Sequence, residues 1–380
     1  AFCEAPSGNL RLLAPAGCGK TISLLHRCKY LANLTGKHKP RFLIVTFTVA
    51  AKQELLSRLN EDSNFSGLGD YIEITTLNSW GFRRIKTVAF SPKLITSKND
   101  FHFAMLNQLQ SVWKDYERVK AAIEAKRNIV PKKLMLIMDT FKSLGFDHVR
   151  DTDFKKFSNK LKELRNQGLG WKIDEEMDQL TKLGVLESQT TKGGKEKPKA
   201  TDKELYESFF EFWRHASEHL ISNATFTLED QKYFAYLDEQ QKVDKKNFLS
   251  GAAAYNHVLV DEFQDINPLD LGLIKAICER SRATLTIVGD DDQAIFEWRG
   301  TTPEYILSPD KFFGTDFSTF TLQKNYRSPA NILAMSQKLL ARNQRRVPKK
   351  IEAAKSEDAE IELREVDSIT EALELVHKEA

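Results

Sequence analysis

A short loop near the N-terminus, Ala14–Thr21 (APAGCGKT), limits the folds that this chain can adopt more than any other segment does. The apolar run Leu10–Leu13 predicts a strand before the loop, and apolar residues at helical spacing predict a helix after it. Gly17 and Gly19 allow the backbone to curl so that its N–H groups point at phosphate oxygens, and the helix start adds the positive end of its dipole. A strand, a glycine loop and a helix in this order predict a phosphate-binding loop in a parallel α/β fold.

Each residue of the loop has an expected role in holding a nucleotide. The candidates for backbone contacts with the phosphates are Ala16, Gly17, Cys18 and Gly19. Lys20 would reach the β- and γ-phosphates, and Thr21 would hold Mg²⁺ through its hydroxyl. Ala14 stands where the strict phosphate-loop pattern has its first glycine.

A phosphate loop needs a second strand that delivers an acid to the metal. The apolar run His257–Val260 ends in Asp261 and Glu262 and supplies one. In phosphoryl transfer one carboxylate positions Mg²⁺, and a neighbour can orient or deprotonate the attacking water. We assign Asp261 to the metal and Glu262 to the water. About 240 residues separate Lys20 from Asp261, far more than one or two strand–helix units need, so a folded segment is expected between them.

Charge divides the chain in a way that the formal net charge of +3 conceals. Residues 91–200 carry 22 basic and 15 acidic side chains, a net +7, whereas the other residues carry 34 and 38, a net −4. The basic stretch has long helical patterns, so we expect a mostly helical, basic subdomain at residues 91–220. It would be inserted into an α/β domain formed by residues 1–90 and 221–322, and residues 323–380 would begin a second domain.

Further strands and helices follow from the hydrophobic pattern. Strands are predicted at Arg41–Thr48, Tyr71–Thr75, Thr284–Val288, Phe317–Leu322 and Glu360–Val366, and helices at Ala50–Leu59, Leu269–Ile277, Ala330–Leu340 and from Ile369 towards Lys378. This alternation predicts a parallel sheet with helices on both faces.

Composition limits where the protein works. No apolar run approaches the ~20 residues that a membrane-spanning helix needs, so we expect no membrane partner. The four cysteines, Cys3, Cys18, Cys28 and Cys278, are scattered and form no C-x-x-C pair. We therefore expect neither a disulfide framework nor a metal ribbon, and we expect a cytoplasmic protein, associated with the nucleoid if the source is bacterial.

Six motifs together resemble the UvrD/Rep-like branch of superfamily 1 DNA helicases. Besides the phosphate loop, they are Val45–Ala51 (VTFTVAA), Thr76–Trp80 (TLNSW), Asp261–Asp265 (DEFQD), Val288–Gly300 (VGDDDQAIFEWRG) and Leu322–Ser328 (LQKNYRS). They stand in the order of the family and cover about Leu10 to Ser328. The resemblance implies a RecA-like P-loop parallel sheet with a mostly helical inserted subdomain, and residues 323–380 would begin the second RecA-like domain.

The resemblance also implies roles for residues outside the two nucleotide motifs. Gln293 would sense the γ-phosphate of ATP, Arg327 would reach the same phosphate from the neighbouring domain, and Tyr326 would stack on adenine. The implied contacts with single-stranded DNA are Phe47, Thr48, Asn78, Trp80, Phe296, Trp298 and Arg299. Stacking of a base on an aromatic ring is worth ~1–3 kcal/mol and ignores base sequence, which suits a motor that steps along any strand.

The implied function is an ATP- and Mg²⁺-dependent single-stranded DNA translocase or DNA helicase that moves 3′ to 5′. Its partner would be single-stranded DNA or tailed duplex DNA, and the sequence identifies no protein partner. The chain ends before the last two motifs of the family, so we expect a fragment that hydrolyses ATP weakly by itself. The alternative is a P-loop regulatory module that binds nucleotide and acts through a protein partner without unwinding DNA.

Overall fold

A parallel sheet organises the part of the chain that the computed structural model describes: residues 1–36, 38–86, 91–95, 166–168, 224–244, 254–297, 300–362, 365–370 and 373. The strands are β1 (Leu10–Leu13), β2 (Phe42–Thr46), β3 (Ile72–Thr76), β4 (Lys93–Ile95), β5 (Thr225–Thr227), β6 (His257–Val260), β7 (Thr284–Gly289), β8 (Ser318–Thr321), β9 (Lys324–Asn325) and β10 (Glu352–Ala353). Six of them form one sheet in the order β3-β2-β6-β7-β1-β8, and every pair in it is parallel. The predicted α/β class with a parallel sheet is confirmed.

Helices lie on both faces of this sheet. The helices of the described residues are α1 (Lys20–Leu34), α2 (Val49–Glu61), α3 (Leu77–Ile85), α4 (Leu228–Asp244), α5 (Pro268–Ser281), α6 (Glu304–Leu307), α7 (Pro309–Phe313) and α8 (Ala330–Leu340), of which α8 packs beside the separate strand β10. Leu12 and Ile44 pack with α1 and α2 in one buried cluster, whereas Leu13 and Val45, their neighbours along the strands, pack with α3, α4 and α5 in another. Because successive strand residues point to opposite faces, a sheet covered on both sides needs such continuous apolar strands.

Capping residues determine where several elements begin. The strand predicted at Arg41–Thr48 ends two residues early, since Thr48 is the N-cap of α2 and its hydroxyl accepts a hydrogen bond from the Ala51 amide at 3.1 Å. Asn267 and Asp270 form a reciprocal capping box at the start of α5. Each cap satisfies amide groups that the first helical turn leaves without an intrahelical partner.

The strand pair β4–β5 brings the two ends of the long intervening stretch side by side, with Leu94 opposite Phe226 in parallel register. Most of the predicted helical subdomain at residues 91–220 lies outside the described residues. The short described stretch at residues 166–168 contacts the α/β domain: the side-chain amide of Asn267 donates a hydrogen bond to the Asn166 side-chain oxygen at 3.2 Å.

The C-terminal part departs from one expectation. The predicted strand at Glu360–Val366 is wrong for the described residues of that range, none of which is in a strand. Ile361 is half exposed, so nothing covers the apolar side of the alternating pattern. A strand here would bury little apolar surface, and such burial is what stabilises a strand in a sheet. The helix predicted from Ile369 does begin there, with Ile369 and Thr370 helical.

The structure bears on the state of the cysteines and on the apolarity of the helices. The four cysteines are free thiols. No helix in the described ranges has the length and apolarity that crossing a bilayer requires.

Candidate nucleotide-binding site

The predicted phosphate loop connects the end of β1 to the start of α1. Gly17 and Gly19 have φ angles of +76° and +85°, which residues with a Cβ rarely adopt, and this lets the loop curl. Ala14 donates its N–H to the Gly289 carbonyl at 3.0 Å, and its φ is not positive. Alanine therefore replaces the first glycine of the usual pattern without backbone strain.

The first turn of α1 meets the end of β6. The Thr21 hydroxyl donates to the Asp261 carboxylate at 3.1 Å. Burial, together with the nearby charge of Glu262, raises the pKa of Asp261 to about 6. A cation bound here would offset the cost of keeping this buried carboxylate ionised.

The donor set suits Mg²⁺. A hydroxyl and a carboxylate are hard oxygen ligands, and Mg²⁺ is commonly held by one or two carboxylates plus phosphates and water. Within the described ranges, no group of three or more His, Cys, Asp and Glu side chains could bind an ion by itself. Thr21 and Asp261 therefore fit a Mg²⁺ that takes its remaining ligands from a nucleotide and water.

Glu262 adopts a left-handed backbone conformation, with φ +49° and ψ +49°. Such strain at a residue with a side chain costs roughly 1–3 kcal/mol and is concentrated at functional sites. Its carboxylate lies 3.1 Å from the Lys20 ammonium and accepts a hydrogen bond from the side-chain amide of Gln264 at 2.8 Å. The Lys20 side chain is buried and that of Glu262 is 31% exposed, so the carboxylate stands beside the loop lysine with access to solvent.

Gln264 connects this carboxylate to the end of β7. Its side-chain oxygen accepts a hydrogen bond from the Asp290 amide at 3.0 Å, and the Asp290 carboxylate accepts one from the Gln293 side chain at 2.6 Å. A Cβ on Gly289 would lie 2.3 Å from the Gln264 oxygen, so this approach requires glycine. Sequence reasoning gave Gln264 no role; the only signal was its place two residues after Glu262 in the acidic motif.

The segment after β8 packs on the phosphate loop. The Asn325 side chain donates to the Ala16 carbonyl at 2.6 Å, and the Tyr326 amide donates to the Gly17 carbonyl at 2.9 Å. The Asn325 side-chain oxygen also accepts from the Arg327 amide at 2.9 Å. Tyr326 and Arg327, both predicted, are thereby brought to the loop by Asn325, which sequence reasoning did not single out.

Several candidate DNA contacts lie where strands end. The rings of Phe47 and Phe296 are near-parallel, with centroids 6.1 Å apart and planes at 24°. Thr48 is exposed at the start of α2, next to Phe47. Asn78 lies in the first turn of α3, and its side-chain oxygen is buried without a hydrogen-bond partner among the described residues. An acceptor in that state is open to a ligand that donates a hydrogen bond.

Trp80 differs from the other predicted DNA contacts because the structure buries it, with 3% of the residue exposed. Its indole N–H donates to the Tyr255 hydroxyl at 3.3 Å, and the Arg84 guanidinium lies over its ring at 4.7 Å. The Tyr255 hydroxyl in turn donates to Glu73 at 2.6 Å. The ring offers no free face to a base in this arrangement, which departs from the direct contact that we expected from the sequence.

Trp298 and Arg299 lie outside the described residues. The residue after them, Gly300, has a φ of +79°, and a Cβ there would lie 2.1 Å from the Gln167 side chain. The positive φ favours glycine at this position, where the Gln167 side chain packs against the backbone.

Comparison with known proteins agrees with these motifs. The model of the UvrD/REP helicase N-terminal domain matches residues 1–314. Similar proteins include a probable DNA helicase II homolog of Mycoplasma capricolum, 26% identical over 95% of this chain and 43% of its own length, and the ATP-dependent DNA helicase PcrA of Bacillus subtilis, 27% identical over 92% and 39%. DNA helicase II of Haemophilus influenzae is 42% identical over 97 residues, which are 26% of this chain and 13% of its own. The chain spans about two fifths of the length of the first two relatives.

Proposed function

This chain belongs to the UvrD/REP helicase family, and from that premise we propose that it is the ATP-binding part of a single-stranded DNA translocase and DNA helicase. One observation supports the proposal above others: side-chain contacts run continuously from the phosphate loop to the candidate γ-phosphate sensor. They link Lys20 to Glu262, Glu262 to Gln264, Gln264 to the Asp290 backbone, and the Asp290 carboxylate to Gln293. This series of contacts would connect a bound nucleotide to the turn at Asp290–Gln293. The candidate DNA-contacting residues Phe296, Trp298 and Arg299 follow that turn directly in the sequence.

In this proposal the loop binds the phosphates of ATP. The backbone N–H groups of Ala16–Gly19 and the ammonium of Lys20 bind phosphate oxygens, while Thr21 and Asp261 hold Mg²⁺. When bound, Mg²⁺ neutralises charge on the phosphates. Lys20 would exchange its contact with Glu262 for one with the nucleotide.

Hydrolysis needs a water, a base and charge stabilisation at the γ-phosphate. Releasing Lys20 leaves the Glu262 carboxylate free to orient the attacking water and to take its proton, while Gln264 keeps the carboxylate in place. Gln293 and Arg327 would stabilise the γ-phosphate as its bond to ADP breaks. Tyr326, which is 59% exposed, would offer its ring to adenine.

The proposed DNA path uses Phe47, Thr48, Asn78 and Phe296, with Trp298 and Arg299. Trp80 takes a supporting role: its buried ring holds α3 on the Tyr255 side, and α3 carries Asn78. Because Gln293 and Phe296 belong to one turn, a shift at the γ-phosphate would be transmitted to the DNA contacts. Opening and re-closure of the Arg327 segment on the phosphate loop in each ATP cycle would then move the protein along the strand, in the 3′ to 5′ direction.

The domain division is part of the proposal. Residues 1–90 and 221–322 would form the first RecA-like domain, and residues 91–220 would be a helical, basic insertion in it. Residues 323–380 would begin the second RecA-like domain. The pairing of β4 with β5 supports the insertion, because it returns the chain to the place where it left.

The proposal is tested by ATP hydrolysis of the protein that carries this chain, with and without single-stranded DNA. Lys20→Ala should abolish turnover, and Glu262→Gln should bind ATP but not hydrolyse it. Trp298→Ala should lose stimulation by DNA. ATP hydrolysis that is independent of DNA and unchanged by Trp298→Ala would overturn the motor function, and strand displacement on 3′- and 5′-tailed duplexes tests the direction.

A further inference from the structure

A buried lysine far along the chain meets the acidic turn that follows β7. The Lys349 ammonium lies 2.8 Å from Asp290 and 3.0 Å from Asp292, and it also contacts Asp291. The Lys349 side chain has no exposed surface. Burial alone would lower the pKa of Lys349, but the charges and hydrogen bonds of Asp290 and Asp291 outweigh it and raise the pKa, so the lysine remains charged.

The same segment supplies two more contacts to this turn. The Arg346 guanidinium lies 2.8 Å from the Asp292 carboxylate, and the Val347 amide donates to Asp291 at 2.8 Å. Three carboxylates in consecutive positions repel one another when buried, and each needs a charge or a donor to stay there. The segment at residues 346–349 therefore supplies the positive charges that offset the repulsion among Asp290, Asp291 and Asp292.

Asp290 shares its carboxylate between this lysine and the candidate γ-phosphate sensor. One oxygen accepts from Lys349, and the other accepts from the Gln293 side chain at 2.6 Å. The orientation of that carboxylate is thus set from one side by Lys349, and it sets the position of Gln293 on the other. The oxygen that faces Lys349 also accepts a longer hydrogen bond, at 3.3 Å, from the Asp292 amide. Without the ammonium, the carboxylate loses the shorter, charged contact of that oxygen, and the position of the other oxygen beside Gln293 is held less firmly.

We propose that Lys349 is a positioning residue for γ-phosphate recognition, acting on Gln293 through Asp290. The inference rests on the proposed role of Gln293 in the ATP site. The segment after β8 contacts the first domain at two points: Asn325 bonds to the phosphate loop, and Lys349 pairs with the acidic turn Asp290–Asp292. A displacement of this segment would then reach Gln293 directly.

The test compares the affinity of the chain for a fluorescent, non-hydrolysable ATP analogue with its affinity for fluorescent ADP. Lys349→Met should reduce the preference for the triphosphate roughly tenfold, which corresponds to ~1.4 kcal/mol at the γ-phosphate. Lys350→Met is the matched control, because Lys350 is exposed and pairs with Glu352. This control should leave the preference unchanged.

A double-mutant cycle with Gln293→Ala separates positioning from general support of the fold. If Lys349 acts through Gln293, Lys349→Met should cost no further preference once Gln293 is alanine. Equal loss of affinity for both nucleotides, or full additivity in the double variant, would overturn the proposal. If Lys349→Met does not fold by circular dichroism, the cycle is run with Lys349→Met/Asp291→Asn, which also removes one buried carboxylate, and the same outcomes decide.

This test is distinct from a failure of the proposed function. If the wild-type chain shows no preference for the triphosphate and Lys20→Ala changes no affinity, the ATP site itself is wrong. If the wild type prefers the triphosphate and Gln293→Ala removes that preference while Lys349→Met does not, only the role of Lys349 is wrong.

Discussion

The side-chain amide of Asn325 donates a hydrogen bond at 2.6 Å to the carbonyl oxygen of Ala16, a residue that precedes it by 309 positions. This bond joins the segment of Tyr326 and Arg327 to the phosphate loop. The loop consequently has two kinds of neighbours: the acidic ends of the sheet strands, and a segment that we assign to the next domain.

Asn325→Ala should impair hydrolysis more than it impairs folding. The substitution removes the bond to Ala16 and the acceptor for the Arg327 amide, so we expect a loss of roughly 1–2 kcal/mol in the free energy of unfolding. Because Arg327 loses its alignment, ATP turnover should fall about tenfold or more. Asn331→Ala is the control, since Asn331 also bonds backbone groups but lies on α8 and not on the loop. Equal effects of the two variants on turnover would contradict the assignment.

Gly17→Ala should lower the free energy of unfolding by more than the strain of its backbone conformation alone would. Its φ of +76° disfavours alanine by roughly 1–2 kcal/mol, and the new Cβ would also lie 2.6 Å from the Arg327 Cβ. Gly36→Ala has a similar φ of +63° and meets nothing within 4 Å, so it carries only the conformational cost. Urea unfolding and nucleotide titration of both variants isolate the contact with Arg327. A Gly17→Ala variant that binds nucleotide as well as Gly36→Ala does would show that the loop does not need this close approach.

Trp80→Phe should show its effect in stability, whereas Phe47→Ala should show it in DNA binding. Trp80 loses its hydrogen bond to Tyr255, which we expect to lower the free energy of unfolding by about 1–2 kcal/mol. Loss of one stacking ring at Phe47 should weaken single-stranded DNA binding about tenfold. Urea melts and fluorescence anisotropy with labelled oligonucleotide measure the two. If Trp80→Phe weakens DNA binding as much as Phe47→Ala while stability is unchanged, the tryptophan contacts DNA after all.

Stability should fall on mild acidification through His257. Burial, with a smaller contribution from the Arg27 charge, lowers the pKa of His257 to about 4 from the 6.5 of an unperturbed histidine. Between these values the unfolded chain binds a proton that the folded chain does not, so stability is lost as pH falls.

The matching variant is His257→Gln, which cannot titrate. From pH 7 to pH 5 the wild type should lose about 2 kcal/mol more unfolding free energy than this variant. His26→Gln, a substitution of an exposed histidine, controls for the loss of a histidine as such. Parallel pH dependence of the wild type and His257→Gln in urea melts would contradict the assignment.

Much of the fold could be predicted from local pattern. The strand His257–Val260 and the helix Ala330–Leu340 have the predicted bounds, because a buried apolar strand and a helix of regular spacing carry their own signal. The strand expected at Glu360–Val366 failed because the same alternating pattern stabilises a strand only where a partner and a covering surface exist. Helix caps are a second feature that the local pattern misses. Thr48 continues the β-branched, apolar pattern of a strand, but in the structure its hydroxyl accepts a hydrogen bond from the Ala51 amide and caps α2.

By itself the sequence determined the chemistry of each motif: a loop that suits phosphate, a hydroxyl and a carboxylate that suit Mg²⁺, and an order of motifs typical of one family. Which of these groups meet follows from the packing of elements that are distant in the chain. Asp290 and Lys349 are 59 residues apart in two charge clusters that the sequence leaves unrelated, and the fold makes them one buried contact. The structure also decided that Trp80 faces the core, because which side of a helix is buried depends on what packs against it. Residue type and local spacing are encoded locally, whereas burial and pairing depend on the order of strands in the sheet.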